Sequence, residues 1–355
     1  MKISKIYKEI DGILNKLDFE KLWKGFKRYN FALYNDEIVC FGDNCIAVDN
    51  RFLGNTAIDY NGEKIAIWKV SAKDFENLNV LASNIVHEMF HAFQFENNES
   101  RFPNDLKGLN KAFDIEYYGM KKQEGILLVN AIKTDNMKLR ISELEKIITL
   151  REKRAELYRD STEYEFSIET VEGTAEYVGT KALKNIDKEE YEKRIHKYME
   201  MIVDNKMIFD TRRYSYFYGT LLLILVDSLN IKLSQEIENN DKTIMENLMG
   251  MVNNGKGIGD ISIGLDLDLE EGLNKYKKNI LMKFEKFNDK KRENHPGIYK
   301  IIGYDPMNMY KLENKILHEH CVNIYDNSTE KTLFINGPVI TIYNKDESQI
   351  IDYLI

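Results

Sequence analysis

One segment, Asn84-Ile85-Val86-His87-Glu88-Met89-Phe90-His91-Ala92-Phe93-Gln94, limits what this chain can fold into more than any other. His87 and His91 are four residues apart, so on a helix they share one face with their Cβ atoms roughly 6 Å apart. The residues around them are mostly apolar, which predicts that the helix is buried. An unpaired polar cluster would be costly there. The pattern therefore predicts a buried helix near residues 75–96 that carries a polar site.

The residue types in this segment are those of a metal site. Two imidazoles at this spacing can bind one Zn²⁺ at about 2.0–2.1 Å per nitrogen. Glu88 follows the first histidine, so its carboxylate is expected beside the metal, where it can take a proton from water and pass it to a leaving amine. The alternative is that both histidines are ordinary helix residues. The pattern favours one Zn²⁺ per chain, with Glu88 as the general base.

A third protein ligand is expected, because a catalytic zinc usually has three such ligands and one open position. No histidine follows soon after His91, so a carboxylate is the better candidate. Glu169, Glu172 and Glu176 are spaced to share one helical face. Three carboxylates on one face would repel each other without a cation, although such a stripe can also be a solvated acidic face. The spacing alone leaves the choice among the three open.

The segments His87-Glu88-x-x-His91 and Glu172-Gly173-Thr174-Ala175 resemble the gluzincins, the thermolysin-like zinc peptidases that include the zinc aminopeptidases. The resemblance implies a zincin-like fold, peptidase activity and Glu172 as the third zinc ligand. Glu176 stands where an acidic residue commonly orients a ligand histidine in thermolysin-like enzymes. The resemblance covers roughly residues 80–230.

A third motif, Tyr216-Phe217-Tyr218-Gly219, is similar to the Tyr-x-x-Gly helix of the zinc aminopeptidases, whose tyrosine stabilises the oxyanion. The resemblance therefore implies that Tyr216 is catalytic. Helical periodicity does not choose between Tyr216 and its neighbours Tyr214 and Tyr218. If none of the three tyrosines donates to the oxyanion, the next candidates for the donor are Arg212, Arg213 and His318.

Two departures limit the resemblance. About eighty residues separate His91 from Glu172, many more than in the aminopeptidases, and they include a predicted long helix at 136–158. The Gly-x-Met-Glu-Asn segment that holds a substrate's free amine in the aminopeptidases is missing. Aminopeptidase specificity is therefore not expected to carry over, and the sequence does not decide between endopeptidase and exopeptidase.

The predicted fold is α+β and mainly α, of the zincin type. A small antiparallel sheet is expected over residues 31–70, a helical body over 75–287 and a β-rich region at the C-terminal end. We assign residues 1–290 to the zincin-like domain and 291–355 to the β-rich region. The strand Ile65–Val70 is expected at the edge of the first sheet, where an extended peptide can add its backbone.

Several other features of the sequence can also be interpreted. Arg212 and Arg213 can bind a peptide carboxylate, but surface charges at a helix N-terminus are more common. His318 and His320 alternate along a predicted strand, which suits a second metal site, a contribution to the main site or, more commonly, a half-exposed strand face. The glycine-rich stretch Gly250–Gly264 lacks the hydroxyl residue of a phosphate loop and is interpreted as a mobile loop.

Composition excludes some classes of partner. The 355-residue chain has a net charge of −8 and a pI of about 5.5, so no nucleic acid is expected as partner. We expect no membrane span, no secretory signal and, with three cysteines, no disulfide framework. The cytoplasm is the expected compartment, with a leaderless or processed export route as the alternative. The oligomeric state is not predicted.

The predicted function is that of a zinc metallohydrolase, most simply a peptidase acting on a peptide or protein. Two alternatives remain. The chain can be a regulatory or toxin-like protein that keeps a zinc fold and acts by binding, or a hydrolase of a non-peptide amide. Binding-only relatives can lose the catalytic glutamate while they keep the ligands. Glu88 is present here, which favours an enzyme.

Overall fold

The computed structural model describes residues 3–252 and 266–355. Its fold is α+β, as predicted, and its strands form two sheets. The helices are α1 (Ile3–Leu14), α2 (Phe19–Leu22), α3 (Leu78–Glu96), α4 (Asp105–Gly108), α5 (Ile115–Lys133), α6 (Met137–Leu157), α7 (Arg159–Ile168), α8 (Thr174–Ile186), α9 (Lys188–Met201), α10 (Thr211–Ser228), α11 (Ile244–Val252) and α12 (Leu267–Asn288). A π-helical turn, Glu169–Gly173, joins α7 to α8. Short 3₁₀ turns lie at Ala72–Phe75 and Met207–Phe209.

The strands form two separate sheets. They are β1 (Asn30–Tyr34), β2 (Ile38–Phe41), β3 (Asn44–Ala47), β4 (Thr56–Tyr60), β5 (Glu63–Lys69), β6 (Asn294–Tyr304), β7 (Met309–Leu312), β8 (Lys315–His318), β9 (Cys321–Asp326), β10 (Lys331–Asn336), β11 (Val339–Tyr343) and β12 (Ile350–Leu354). The strand order is β3-β2-β1-β5-β4 in the first sheet and β10-β9-β6-β12-β11-β8-β7 in the second.

The first sheet is mostly antiparallel, as the sequence indicates, but β1 and β5 pair in parallel. The prediction that Ile65–Val70 is an edge strand is wrong. Strand β5 lies between β1 and β4, because the tight turn at Asn61 and Gly62 folds β4 back onto it. The edge on that side of the sheet is therefore β4.

Helices α1 and α3 both pack on the first sheet. The predicted stripe of α1 is buried at Ile3, Ile6, Ile10 and Leu14. Helix α3 begins after Asn77, whose side-chain oxygen accepts hydrogen bonds from the backbone N–H groups of Asn79 and Val80 and so caps the helix. It is buried along most of its length, in agreement with its apolar composition.

Helix α8 approaches α3 closely. A Cβ atom at Gly179 would lie 2.8 Å from the carbonyl oxygen of Ser83 and 3.3 Å from Cβ of His87. Only glycine allows this separation of the two backbones. The contact brings the residues at the start of α8 beside the histidines of α3.

The chain divides into two compact units, Met1–Pro103 with Met120–Glu156 and Glu165–Ser262, and Asn104–Gly119 with Leu157–Tyr164 and Ile263–Ile355. The first unit contains the first sheet and α3. In the second unit, α12 packs on the seven-stranded sheet through Ile280, Phe284 and Phe287. The boundary predicted after residue 290 falls between α12 and β6.

Two predictions near the cysteines and histidines are corrected. Cys40 and Cys45 lie opposite each other on β2 and β3 and form a disulfide, because the hairpin pairs residues five apart in sequence; the small, odd number of cysteines did not predict this pair. His318 and His320 do not share one strand, because β8 ends at His318 and the chain turns before β9.

Two further sequence predictions concern the glycine-rich stretch and membrane-spanning helices. The interpretation of Gly250–Gly264 as a loop rests mainly on residues 253–265, which lie outside the described ranges. Across residues 3–252 and 266–355, no helix combines the length and the apolar character that crossing a membrane requires.

Candidate metal centre

Three side chains from two elements converge on one point. His87 and His91 extend from α3, and their Nε2 atoms are 3.1 Å apart. Oε2 of Glu172, in the π turn, is 3.1 Å from Nε2 of His91 and 3.8 Å from Nε2 of His87. All three residues are buried. For a tetrahedral ion with bonds of about 2.0–2.1 Å, ligand atoms lie about 3.3–3.4 Å apart, so the three separations fit one zinc ion.

Hydrogen bonds on the other side of each imidazole decide which nitrogen faces this point. Nδ1 of His87 is 2.9 Å from Oε2 of Glu176, and an ionised carboxylate only accepts, so Nδ1 donates. Nδ1 of His91 is 2.7 Å from Oε1 of Gln94. The amide of Gln94 is oriented because its Nε2 donates to the carbonyl oxygen of Val171 at 2.9 Å. Each imidazole therefore turns its Nε2 towards Glu172, and two such nitrogens beside a buried carboxylate are an arrangement that calls for a cation.

The pKa shifts of the groups around this point also favour a cation there. Burial acts to lower the pKa of His87, but its contacts with Glu172 and Glu176 outweigh burial and raise the pKa to about 10. Burial acts to raise the pKa of Glu172, but His91, His87 and Arg212 hold it well below its usual value. Both shifts indicate that the cluster stabilises positive charge between the imidazoles and the carboxylate.

Glu88 lies in the same cluster. Its carboxylate and one nitrogen each of His87 and His91 are within 4.8 Å of one another. Burial raises the pKa of Glu88, with the two histidines opposing that rise. A carboxylate whose pKa is raised above its usual value is a stronger base, which suits a group that takes a proton from water and later releases it.

Glu176 supports the site from behind His87. Burial acts to raise its pKa, but the hydrogen bond with His87 and the charge of Arg194 lower it to about 2. The hydroxyl of Tyr198 donates to Oε1 of Glu176, and Nη1 of Arg194 lies 3.5 Å from the same oxygen. The carboxylate is therefore ionised and fixed, and it holds the ring of His87 in place.

The three tyrosines of α10 have different surroundings. Tyr216 is partly exposed, and its ring stacks on that of His87 with centroids 6.2 Å apart and planes at 14°. Tyr214 is fully buried and donates to the carbonyl oxygen of Lys121. Tyr218 is fully buried with the guanidinium of Arg151 4.0 Å from its ring centre. Of the three, Tyr216 is the one beside the candidate metal centre.

Glu169 does not face the centre, contrary to the expectation that it shares a face with Glu172 and Glu176. Its carboxylate accepts two hydrogen bonds from Arg151, at 2.5 and 2.7 Å, in the buried core. The physical reason is the π turn, in which backbone hydrogen bonds join residues five apart and widen the helix. Residues three or seven positions apart, such as Glu169 with Glu172 and Glu176, therefore no longer share one face.

Arg151 and Glu169 belong to a larger buried network of charges. It contains three cations and three carboxylates, all at most 2% exposed: Lys121, Arg151, Arg154, Glu124, Glu165 and Glu169. Glu124 bridges the two arginines, and Glu165 bridges Arg154 and Lys121. Each charge has an opposite partner, as burial requires.

Sequence reasoning missed three residues of the site or its support. Gln94 fixes His91, and its position three residues after that histidine on the same helix is a usable signal. Arg194 contacts Glu176 from α9, the next helix along the chain, and no local pattern marks this contact. Arg212 was considered for a substrate carboxylate, but its Nη2 lies 2.6 Å from Oε1 of Glu172. Arg213 is exposed and pairs with Asp210.

His318 and His320 are far from forming a pair. His318 is buried in β8 with Nε2 3.1 Å from the hydroxyl of Thr341, and burial lowers its pKa to about 4. His320 is largely exposed and lies 2.8 Å from Asp305. The two side chains have separate partners, which removes the reason to expect a shared metal site.

Comparisons with protein-family models, curated proteins and solved structures found no match to this chain.

Proposed function

We propose that this chain is a zinc-dependent hydrolase of the gluzincin type that cleaves peptide bonds. The observation that carries the proposal is the convergence of two imidazole Nε2 atoms and one Glu172 oxygen, 3.1–3.8 Å apart, with Glu88 beside them. His87, His91 and Glu172 would hold one Zn²⁺ and leave one position open. Nitrogen and carboxylate ligands in this number are typical of catalytic zinc.

The same residues support the rest of the zincin assignment. A buried helix with both histidines lies against a small sheet, and a second helical segment supplies the glutamate. Glu176 on Nδ1 of His87 matches the carboxylate–histidine arrangement that raises ligand basicity. We therefore assign residues of the first unit to a zincin-like catalytic domain.

The mechanism we propose uses Glu88 for proton transfer and Tyr216 for charge stabilisation. His87, His91 and Glu172 would hold a zinc ion, which would supply Lewis-acid chemistry towards the substrate carbonyl and a water molecule. Glu88 takes the proton of the attacking water and donates it to the leaving amine. The phenol of Tyr216, whose pKa is raised well above its usual value by burial and by Glu172, stays protonated and donates to the developing oxyanion.

The substrate class is an extended peptide. Strand β4 forms an edge of the first sheet and packs against α3, so its free backbone groups can pair with a peptide by strand addition. This transfers to β4 the role that the sequence had suggested for Ile65–Val70. Polar backbone recognition of this kind favours peptides over other amides, which lack a strand-like backbone.

The test combines metal analysis with one conservative variant. The purified chain should contain, or take up, one zinc per chain. Glu88→Gln keeps the shape of the side chain and removes the base, so it should retain the zinc and lose about 10²–10⁴-fold in peptide hydrolysis. Less than a tenth of an equivalent of zinc after incubation with the metal would refute the proposal.

The binding-only alternative gives a different result in the same experiment. A regulatory or toxin-like protein would bind zinc but show no hydrolysis of unstructured peptides, with Glu88→Gln indistinguishable from the unaltered chain. Hydrolysis of small amide substrates without any cleavage of peptides would favour the second alternative, a non-peptide amidase.

A further inference from the structure

The two oxygens of Glu172 have different partners. Oε2 faces Nε2 of His91 at 3.1 Å, whereas Oε1 lies 2.6 Å from Nη2 of Arg212. The side chains of Glu172 and Arg212 are 12% and 11% exposed, so little water is available to replace either contact. A charge-assisted hydrogen bond in such a site is strong and directional.

Arg212 is held where this contact requires it. Helix α10 begins at Thr211, and Asp210 caps it by accepting from the backbone N–H of Arg213. The Arg212 guanidinium lies 5.8 Å from the ring centre of Tyr216, one helical turn further along α10. The start of α10 therefore brings a cation to the Glu172 oxygen that does not face the imidazoles, with the ring of Tyr216 close to that cation.

A carboxylate can bind a metal through one oxygen or through both. If both oxygens of Glu172 bound, the two histidines and the carboxylate would supply four donor atoms, and water or substrate could bind only as a fifth ligand. With Oε1 engaged by Arg212, three donor atoms remain, which is the usual number in a catalytic zinc site.

We propose that Arg212 is a positioning residue that keeps Glu172 a one-oxygen ligand, and that it thereby keeps the fourth position of the metal open. This inference rests on the proposed zinc site and goes beyond it by assigning a role to a residue that contacts no metal. The role is electrostatic and geometric: the guanidinium orients the carboxylate and balances part of its charge.

The test compares two neighbouring arginines. Arg212→Met removes the cation but keeps most of the packing volume, and Arg213→Met is the matched control, because Arg213 pairs with Asp210 at the surface. Zinc affinity is measured by competition with a chromogenic chelator. The coordination number is read from the visible absorption of the Co²⁺-substituted chains, which is intense for four-coordinate Co²⁺ and weak for higher coordination.

Arg212→Met should lose about 10–100-fold in zinc affinity, the usual effect of removing a residue that orients a ligand. Its Co²⁺ absorption should also weaken as the second oxygen binds. Arg213→Met should match the unaltered chain in both measurements. Where Arg212→Met fails to fold, Arg212→Gln, whose amide is too short to reach Glu172, takes its place with the same expected losses.

The possible failures are distinguishable. Zinc binding by the unaltered chain, together with an Arg212 variant that matches Arg213→Met in affinity and in Co²⁺ absorption, would overturn this inference and leave the proposed zinc site standing. Absence of zinc binding by the unaltered chain would refute both proposals.

Discussion

Gly173 and Gly219 bring two helical segments into backbone contact: a Cβ atom at Gly173 would lie 3.0 Å from Cα of Gly219. A Cβ atom at Gly219 would in turn lie 3.0 Å from both Cα and the carbonyl oxygen of Glu169. Neither position accepts a side chain without movement of the backbone. The pair therefore sets the distance between the π turn, which carries Glu172, and α10, which carries Tyr216.

We expect Gly219→Ala to separate these two segments. The added methyl group meets backbone atoms, which cannot rotate away, so the variant should lose about 1–3 kcal/mol of stability, as overpacked cores do. Peptide hydrolysis should fall as well, since Glu172 and Tyr216 move apart. Urea unfolding and steady-state kinetics measure the two effects.

Gly12→Ala is the matched control for Gly219→Ala. Gly12 lies in α1, and a Cβ atom there would meet nothing within 4 Å. Alanine is favoured over glycine within a helix by up to about 1 kcal/mol, so this variant should be as stable as the unaltered chain or more stable. Equal unfolding midpoints for the two variants would contradict the role of the glycine contact.

The three glutamates near the π turn should respond differently to alanine. Glu172→Ala should cause the largest loss of zinc affinity. Glu176→Ala should cost about 10–100-fold, because it removes the partner of His87 and not a ligand. Both are measured by chelator competition on folded protein. A larger loss for Glu176 than for Glu172 would overturn the assignment of the third ligand.

Glu169→Ala should affect folding. It leaves Arg151 buried without the carboxylate that accepts two of its hydrogen bonds, and breaking a buried ion pair costs about 3–5 kcal/mol. Chemical unfolding should detect the loss, while zinc affinity of the remaining folded chain should change less than in Glu172→Ala. Unchanged stability would contradict the pairing seen in the buried charge network.

Among the tyrosines of α10, Tyr216→Phe should lower kcat by roughly 10²–10³, because one oxyanion donor is worth about 2.7–4 kcal/mol. Zinc content should not change. Tyr214→Phe and Tyr218→Phe are controls at buried positions on the same helix, and they should affect stability more than kcat. A large kcat loss in either control would show that the donor was misassigned.

The cysteines provide a test of the first sheet. Cys40 and Cys45 are paired, and Cys321 is a free thiol. Denatured protein that has not met a reductant should therefore react with one equivalent of a thiol reagent, and reduced protein with three. Three reactive thiols before reduction would show that the hairpin does not hold the disulfide.

The sequence was most informative where spacing within one helix decides the geometry. The His87/His91 spacing predicted that both imidazoles face the same way, and in the structure their Nε2 atoms are 3.1 Å apart. The apolar stripe of α1 likewise predicted its buried residues. Such patterns need only the helical repeat, which is fixed by the backbone.

The sequence was least informative where the position of a side chain depends on a partner far away in the chain or on a break in the helical repeat. The π turn rotates Glu169 away from Glu172, and no residue in that segment marks the change of winding. Arg212 meets Glu172 across forty residues of sequence. Strand β4 was missed as the sheet edge because strand order follows from pairing, which a local pattern does not encode.

The division of the chain into two units has a consequence for truncation. The second unit draws on residues 104–119 and 157–164 as well as on the C-terminal third of the chain. Within it, Lys111 lies 2.6 Å from the hydroxyl of Tyr276. A fragment that stops at residue 262 would keep Lys111 but lose Tyr276 and the seven-stranded sheet. It would also retain residues 104–119 and 157–164 without the rest of the unit to which they belong. The two units are interleaved along the chain, so neither can be cut out as one continuous piece.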